Sequence, residues 1–421
     1  MRMVTLCAGI ALLALACHRS PLAAKRTDAS AAQDQDSGAG GVTLSIPDAD
    51  VIVASATQDQ AGSWATPDVG AAVDGNAVIV PDGATIVASG QASPGVLALD
   101  DQNLYWIDLG IAMSGGPKVA WWQDGAVMKC PKAGCPKGPT ALASGRNSIS
   151  SFFATDGDYV FWSDAGPTFA ADDAGMPGGL LRCSVAGCGN APERLDELGG
   201  STLAVAGGKV FVAGRSAEVV WCPISGCASP PAVLWSGDQT TSNTVTVELA
   251  TDGSDVYWTT MGMVMRCAQA GCDGNPTVLV PYSTTFWNFG VLALDDTNVY
   301  FSHGLFDNGG GALRPGEILA CAKAGCAGSP RVLATNLNPP TSLATDGIDV
   351  YWSQPDGPLL STSLTSVVCK CPAAGCNGTP ITIAAGMTGS VAVAVDNDFV
   401  YWTDGGASDQ GGDGRIWRAP K

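Results

Sequence analysis

The chain has 421 residues, 21 basic and 39 acidic, for a formal charge of −18, and 46% of its residues are apolar. Gly and Pro make up 80 residues, 19% of the chain, so a low-complexity disordered chain is excluded and there is enough apolar material for a large core. An acidic chain with no basic cluster excludes nucleic-acid binding, and two histidines, His18 and His303, leave little raw material for His-based triads or zinc sites.

In chain order, Met1-Arg2-Met3 precedes an apolar run from Val4 to Ala16, which is too short to span a bilayer comfortably. Residues 1–16 therefore read as a secretory signal peptide. Ala14-Leu15-Ala16-Cys17 resembles a bacterial lipobox, which implies a lipid on Cys17 and an exported protein anchored to the cell envelope. With His18 next, and not Asp, the outer membrane is the implied address. Ordinary cleavage after Ala-x-Ala, without lipidation, is the competing reading. Residues 17–41 are poor in periodic apolar positions and read as a flexible tether. Residues 42–83 stay ambiguous: Val51-Ile52-Val53 and Ala77 to Val80 have strand character but no assigned place.

From residue 84 onward a repeat takes over. Leu97–Trp106, Phe153–Trp162, Leu203–Val212, Leu249–Trp258, Leu292–Phe301, Leu343–Trp352 and Val393–Trp402 align without gaps, giving seven copies. The copies are spaced by 43 to 56 residues, with a mean of about 49. Each has an apolar run, a short turn that carries an aspartate in every copy but the third, and a β-branched and aromatic run, then further short runs, as in Val264–Cys267 and Thr277–Val280 of the fourth copy. Four short strands per copy predict an all-β, seven-bladed β-propeller over residues 84–421. The seventh copy ends without a fourth strand, and Ala84–Gly90 (ATIVASG) matches the fourth strand of the first copy, Pro139–Gly145 (PTALASG). An N-terminal strand is thus expected to complete the last blade and close the ring, which a solenoid would not need.

Tyr401-Trp402-Thr403-Asp404 is a strict Tyr-Trp-Thr-Asp, and Tyr257–Thr260 and Phe161–Asp164 are looser versions. On these residues the repeats resemble the YWTD propellers of LDL-receptor-type proteins. The Cys-x4-Cys additions look like those of bacterial repeat lipoproteins. The resemblance implies a structural role for Tyr401, Trp402 and Asp404, and a module that binds other proteins.

Fifteen cysteines sort by position. Cys7 belongs to the signal peptide. Twelve others form six Cys-x4-Cys pairs: Cys130/Cys135, Cys183/Cys188, Cys222/Cys227, Cys267/Cys272, Cys321/Cys326 and Cys371/Cys376. Each falls between the third and fourth strand of a blade, where facing residues are close enough for a disulfide. On this reading the bridges are staples of hairpin tips. A zinc half-site is the weaker alternative, because each pair supplies two ligands of the four required. Cys369 stands where other copies have Met128 and Met265, and is expected as a buried thiol.

Turns between the first and second strands and the Cys-x4-Cys tips share one uniform face. The other face carries loops of unlike length and is the expected binding face. Its candidate ligand-binding residues are Trp121, Trp122, Trp287, Phe306 and Asp307, with Asp172 and Asp173 nearby in kind. Aromatics beside acids suit a protein, a sugar or a cation, whereas packing between blades is the plain alternative for the tryptophans. Asp404, Asp409 and Asp413 offer oxygens in a Gly-rich loop without the spacing of a calcium loop. Asp100, Asp156, Asp252, Asp295, Asp346 and Asp396 recur at one position, which says turn chemistry. No catalytic motif, cofactor motif or metal motif occurs. The expected protein is a monomeric, non-catalytic, lipid-anchored propeller that binds a protein or polysaccharide. A propeller-type polysaccharide lyase or hydrolase, and a purely structural envelope protein, are the alternatives.

Overall fold

The computed structural model describes residues 51–53, 78–113, 121–146, 149–164, 179–196, 202–213, 218–227, 230–237, 246–260, 262–281, 289–304, 315–357, 365–389, 391–406 and 412–421. The expected signal peptide, the tether and Cys17 lie outside these residues. The described residues form strands and turns and no helix.

Seven antiparallel four-stranded blades follow one another in chain order, each running outward from its first strand. Blades 1 to 6 occupy residues 94–146, 149–196, 202–236, 246–280, 289–337 and 342–388. Blade 7 takes three strands from residues 393–420 and its outermost from Thr85–Gln91, which pairs antiparallel with Gly414–Pro420. The N-terminal strand therefore closes the last blade. The first strands adjoin one another around the ring, and that of blade 7 returns to that of blade 1. Two more strands lie ahead of the ring: Val78–Val80 pairs with the outer strand of blade 6 at Ile79↔Ala385, and Val51–Val53 runs parallel to it. Val78 and Val80 are buried against Val368, Ala384, Trp417 and Ala419, so this segment packs across blades 6 and 7.

Side chains alternate across a strand, and the Tyr-Trp pairs in the second strands of blades 1, 4, 6 and 7 use that alternation to join blades. Tyr105 packs with Val160, Trp162 and Leu181 of blade 2, while Trp106 packs with Val87, Tyr401 and Ile416 of blade 7. The same division holds for Tyr351 toward blade 7 and Trp352 toward blade 5. Trp106, Trp162, Trp258, Trp352 and Trp402 are all fully buried. Burying an aromatic side chain of this size contributes a few kcal/mol apiece, so these rings carry much of the cohesion between blades.

The recurrent aspartate does more than turn the chain. Asp100 Oδ1 accepts the backbone amides of Gln102 and Asn103 at 2.7 and 2.6 Å, and its Oδ2 accepts the Tyr105 hydroxyl at 2.5 Å. Asp252–Tyr257, Asp295–Tyr300 and Asp396–Tyr401 repeat the bond at 3.0, 2.6 and 3.0 Å. The spacing Asp-x4-Tyr is therefore a closed unit: the turn fixes the carboxylate and the carboxylate fixes the tyrosine.

All six Cys-x4-Cys pairs are disulfides: Cys130–Cys135, Cys183–Cys188, Cys222–Cys227, Cys267–Cys272, Cys321–Cys326 and Cys371–Cys376, with Cα separations of 4.8–5.6 Å. They staple the hairpins between third and fourth strands as expected, and in the ring they also brace neighbouring blades. In five bridges the second sulfur lies beside a carbonyl oxygen of the preceding blade's outer strand. Cys135 is 3.4 Å from that of Val87, Cys188 3.3 Å from that of Leu142 and Cys376 3.5 Å from that of Leu333. Cys272 and Cys326 follow the same rule at longer range, 4.0 Å from the Leu234 carbonyl and 3.7 Å from that of Leu279. Both are half-buried, Cys272 packed with Leu234, Trp258 and Cys267 and Cys326 with Leu279 and Cys321. The physical reason is the turn before the second half-cystine, which folds it back under the hairpin and onto the adjoining blade. The amides of Cys135 and Cys376 donate to the same oxygens their sulfurs approach. Among the described residues Cys369 is the free cysteine. Burial pushes its thiol up to about 12, against a smaller opposing effect of the Thr382 hydroxyl, so it is not a nucleophile in the folded chain. Thiol titration of the processed domain in denaturant without reductant is expected to find one reactive group, and a count of twelve or more would refute the bridges.

Candidate functional site

The two ends of the ring differ in kind. One end gathers the Asp-x4-Tyr turns and the disulfide tips, repeated with little change. The other gathers the connections from second to third strands and from blade to blade. In blade 4 this connection is tight, with the Thr260 amide donating to the Met263 carbonyl at 2.8 Å. In blade 1 it grows a separate hairpin, Ile111–Met113 paired with Trp121–Gln123 in the register Ala112↔Trp122 and Met113↔Trp121. Trp121 and Trp122 thus sit on a strand outside the blade sheet, with side chains outside the described residues. Trp287, Phe306, Asp307, Asp172, Asp173 and Asp409 also lie outside the described residues.

Beneath these loops, the residue two past each buried aromatic forms a polar floor: Asp108, Thr260, His303, Gln354 and Asp404. Their partners explain their type. Asp108 accepts the Trp106 indole at 3.0 Å and the Ala92 amide at 3.3 Å, joining the second strand to the linker that enters blade 1. Gln354 accepts the Trp352 indole at 2.9 Å. Asp404 accepts the Thr388 amide at 3.0 Å and lies 3.7 Å from the Arg415 guanidinium. His303 Nδ1 is 3.4 Å from Glu317 and is buried. Burial pushes the Asp108 carboxyl up to about 6, outweighing the Ala92 amide and the Trp106 indole that hold it down. These groups fasten blade edges. Asp404 commits one oxygen to backbone and hydroxyl donors.

Among the described residues, one group of three potential metal ligands comes together, Asp196 with Cys222 and Cys227. Those two sulfurs are joined to each other, so they offer no thiolates. The bridges form and persist in oxidising compartments, which marks the chain as exported.

The central channel contains a group that sequence reading passes over. Glu248 lies in Thr246–Thr251, the innermost strand of blade 4, and is the one charged residue in the seven innermost strands. Its counterparts in blades 3 and 6 are Thr202 and Ser342, whose hydroxyls accept amides of the next innermost strand, Leu249 and Val393, at 3.1 and 3.0 Å. Glu248 stands at that same channel-side register facing blade 5. Surrounding protein pushes its carboxyl up to about 8 by desolvation alone. The signal is available in the alignment of copies: Thr-Val-Glu-Leu-Ala-Thr matches Phe-Gly-Val-Leu-Ala-Leu, where the counterpart of the glutamate is Val291.

No protein-family profile and no curated protein matches this chain. Solved propellers do. A chain of the mitotic checkpoint complex is similar over 81% of this chain and 92% of its own, at 12% identity and a TM-score of 0.51. The WD40 β-propeller domain of Doa1 is similar over 80% of this chain and 97% of its own, at 11% identity and a TM-score of 0.50. At such identities the likeness is one of fold, and propellers host many unrelated functions.

Proposed function

We propose that this chain is a non-catalytic, envelope-anchored propeller that binds a protein or polysaccharide partner on its unlike loops, with Cys17 as the lipid site. The observation that carries the reading is the contrast between the ends of the ring. One end repeats the same turns and bridges, whereas the other differs from blade to blade and bears the tryptophan hairpin of blade 1. Variation confined to one face of a repeat array is the usual mark of a binding face. The Tyr-Trp second strands fit a YWTD-like repeat, whose motif holds blades together and leaves the loops for recognition. Trp121, Trp122, Trp287, Phe306 and Asp307 are the proposed contact residues.

The test is affinity capture from an envelope extract with the processed chain as bait, beside a bait carrying Trp121→Ala, Trp122→Ala and Trp287→Ala. A partner held by the first and lost by the second, with unchanged melting of both, is the expected result. Equal capture by both moves the contact elsewhere and sinks the assignment of these residues. Retention of a Cys17→Ser form in the membrane fraction would sink the anchor.

A further inference from the structure

In blades 4, 5 and 6 the bridged hairpin turns in one way just past its second half-cystine. Asp273-Gly274, Ala327-Gly328 and Asn377-Gly378 hold the two central positions with φ of 52° and 73°, 51° and 74°, and 51° and 80°. Both positions are left-handed, as a type I′ turn requires. The amides of Asn275, Ser329 and Thr379 close the turns on the carbonyls of Cys272, Cys326 and Cys376 at 2.8, 2.9 and 3.0 Å. One backbone therefore carries an acid, a methyl group and an amide at the same position of the repeat.

The amide stands where it can react with its own main chain. Asn377 is exposed, and among the described residues its side chain makes no hydrogen bond. Gly378 brings no Cβ to crowd an attack by its nitrogen, and among the described residues that nitrogen donates to no acceptor. The asparagines at two other bridged tips differ on both counts. Asn190 Oδ1 accepts the Ser144 amide at 2.6 Å, and the amide of the following Ala191 is held by the Cys188 carbonyl at 3.0 Å. Asn275 Nδ2 donates to the Asp273 carbonyl at 3.0 Å, and the following residue is Pro276, which has no N–H.

We propose that Asn377 is a site of spontaneous modification, cyclising with Gly378 and reopening as aspartate and isoaspartate. The Gly378 nitrogen gives its proton to water and bonds to Asn377 Cγ, and the Cγ–Nδ2 bond breaks with loss of ammonia. Water then opens the cyclic imide. Cleavage of the Cγ–N bond leaves aspartate, and cleavage at the backbone carbonyl carbon leaves isoaspartate, with the main chain running through Cβ. One water enters and one ammonia leaves, and nothing is oxidised or reduced. Ring closure takes Asn377 out of the left-handed region, so the tip opens first, as a surface turn with Asn377 and Thr379 exposed can do.

The two products differ in what they do to the fold. Blade 4 holds an aspartate, Asp273, at this position of the same turn, so conversion to aspartate leaves the turn intact. Isoaspartate lengthens the main chain by one atom beside Cys376. The amide of Cys376 donates to the Leu333 carbonyl at 3.2 Å, and its sulfur lies 3.5 Å from the same oxygen. Leu333 belongs to blade 5, so the longer chain strains the junction of blades 5 and 6.

The test incubates the purified protein at mildly alkaline pH and withdraws samples over time. Peptides are released at acid pH, where the reaction is slow, and their aspartate and isoaspartate forms are resolved by chromatography and mass spectrometry. Asn377 is expected to convert at least about tenfold faster than Asn190 and Asn275, a barrier difference of about 1.4 kcal/mol, and to give both products. The chain's other Asn-Gly, Asn308-Gly309, lies outside the described residues and reports in a separate peptide. Asn377→Ala, the residue that blade 5 has in this turn, should form neither product and melt with the parent. The charge-shifted form collected by ion exchange should contain a component that melts below the parent, whereas Asn377→Asp should melt with it. Conversion of Asn377 at the rate of Asn190 and Asn275, or aspartate without isoaspartate, would overturn the site. Parent-like melting of the whole charge-shifted form would overturn its link to the blade junction.

Discussion

Val87→Asp is expected to destabilise the chain by about 3–5 kcal/mol, the range for placing an unpaired charge in a core. Val87 is 5% exposed and packs with Leu104, Trp106, Cys130, Tyr401 and Ile416, residues drawn from blades 7 and 1. Its carbonyl receives the amide of Cys135 at 3.4 Å. It sits on the strand that completes blade 7, far along the chain from the strand it pairs with, Gly414–Pro420. Every other blade completes itself from contiguous chain, so a charge at Val87 attacks the closure of the ring as well as local packing. The control is Ser89→Asp, two residues along the same strand but exposed, where a change within about 0.5 kcal/mol is expected. Urea unfolding followed by tryptophan fluorescence and near-ultraviolet dichroism reads both variants. Equal midpoints for the two would mean that the N-terminal strand contributes little to closure.

The architecture is legible in the sequence because its signals are local or repeated. Alternation in each Leu-Ala-x-Asp…Tyr-Trp segment gives a hairpin, seven copies give the ring, and the match of Ala84–Gly90 to Pro139–Gly145 gives its closure. The Cys-x4-Cys pairs are legible as bridges for the same reason. What sequence withholds depends on which blade stands beside which. The contact of Cys135 with Val87, that of Cys326 with Leu279, the reach of Lys323 to Asp252 and that of Lys421 to Asp346 each cross a junction between blades. The role of Asp100 reads as a turn, and its bond to Tyr105 needs the strand geometry to bring positions five apart together. At the loop face, Trp121 and Trp122 fall on a hairpin outside the blade sheet, an element that composition alone does not separate from an irregular loop. Glu248 escapes notice for a different reason. A glutamate between apolar residues reads as the exposed side of an edge strand, and becomes unusual once that edge faces a channel walled by uncharged strands.

Glu248→Gln is expected to stabilise the chain at pH 8 by about 1–3 kcal/mol and to leave it unchanged near pH 4. The sign follows from the direction of the shift. Folding raises this carboxyl from the ordinary 4.5 to about 8, so the native state holds a proton that the unfolded state releases over that interval. Below pH 4.5 both states are protonated and the group costs nothing in charge. As pH rises toward 8 the unfolded chain gains relative to the folded one, and above 8 the loss is complete. The full interval corresponds to a ceiling of roughly 5 kcal/mol, and water in the channel beside a half-buried side chain brings the expected value down. Glutamine keeps the shape and removes the titration, so the variant should lack the decline between about pH 5 and 8 that the unsubstituted chain contributes through Glu248. Asp108, raised to about 6 by burial, adds a smaller decline of the same sign over a lower interval. Asp108→Asn in the same background separates the two. Melting temperatures at half-unit steps from about pH 4 to 9 provide the comparison. Parallel curves for the unsubstituted chain and Glu248→Gln would show that channel water solvates the carboxylate fully, and that the innermost strand of blade 4 places no cost on its charge.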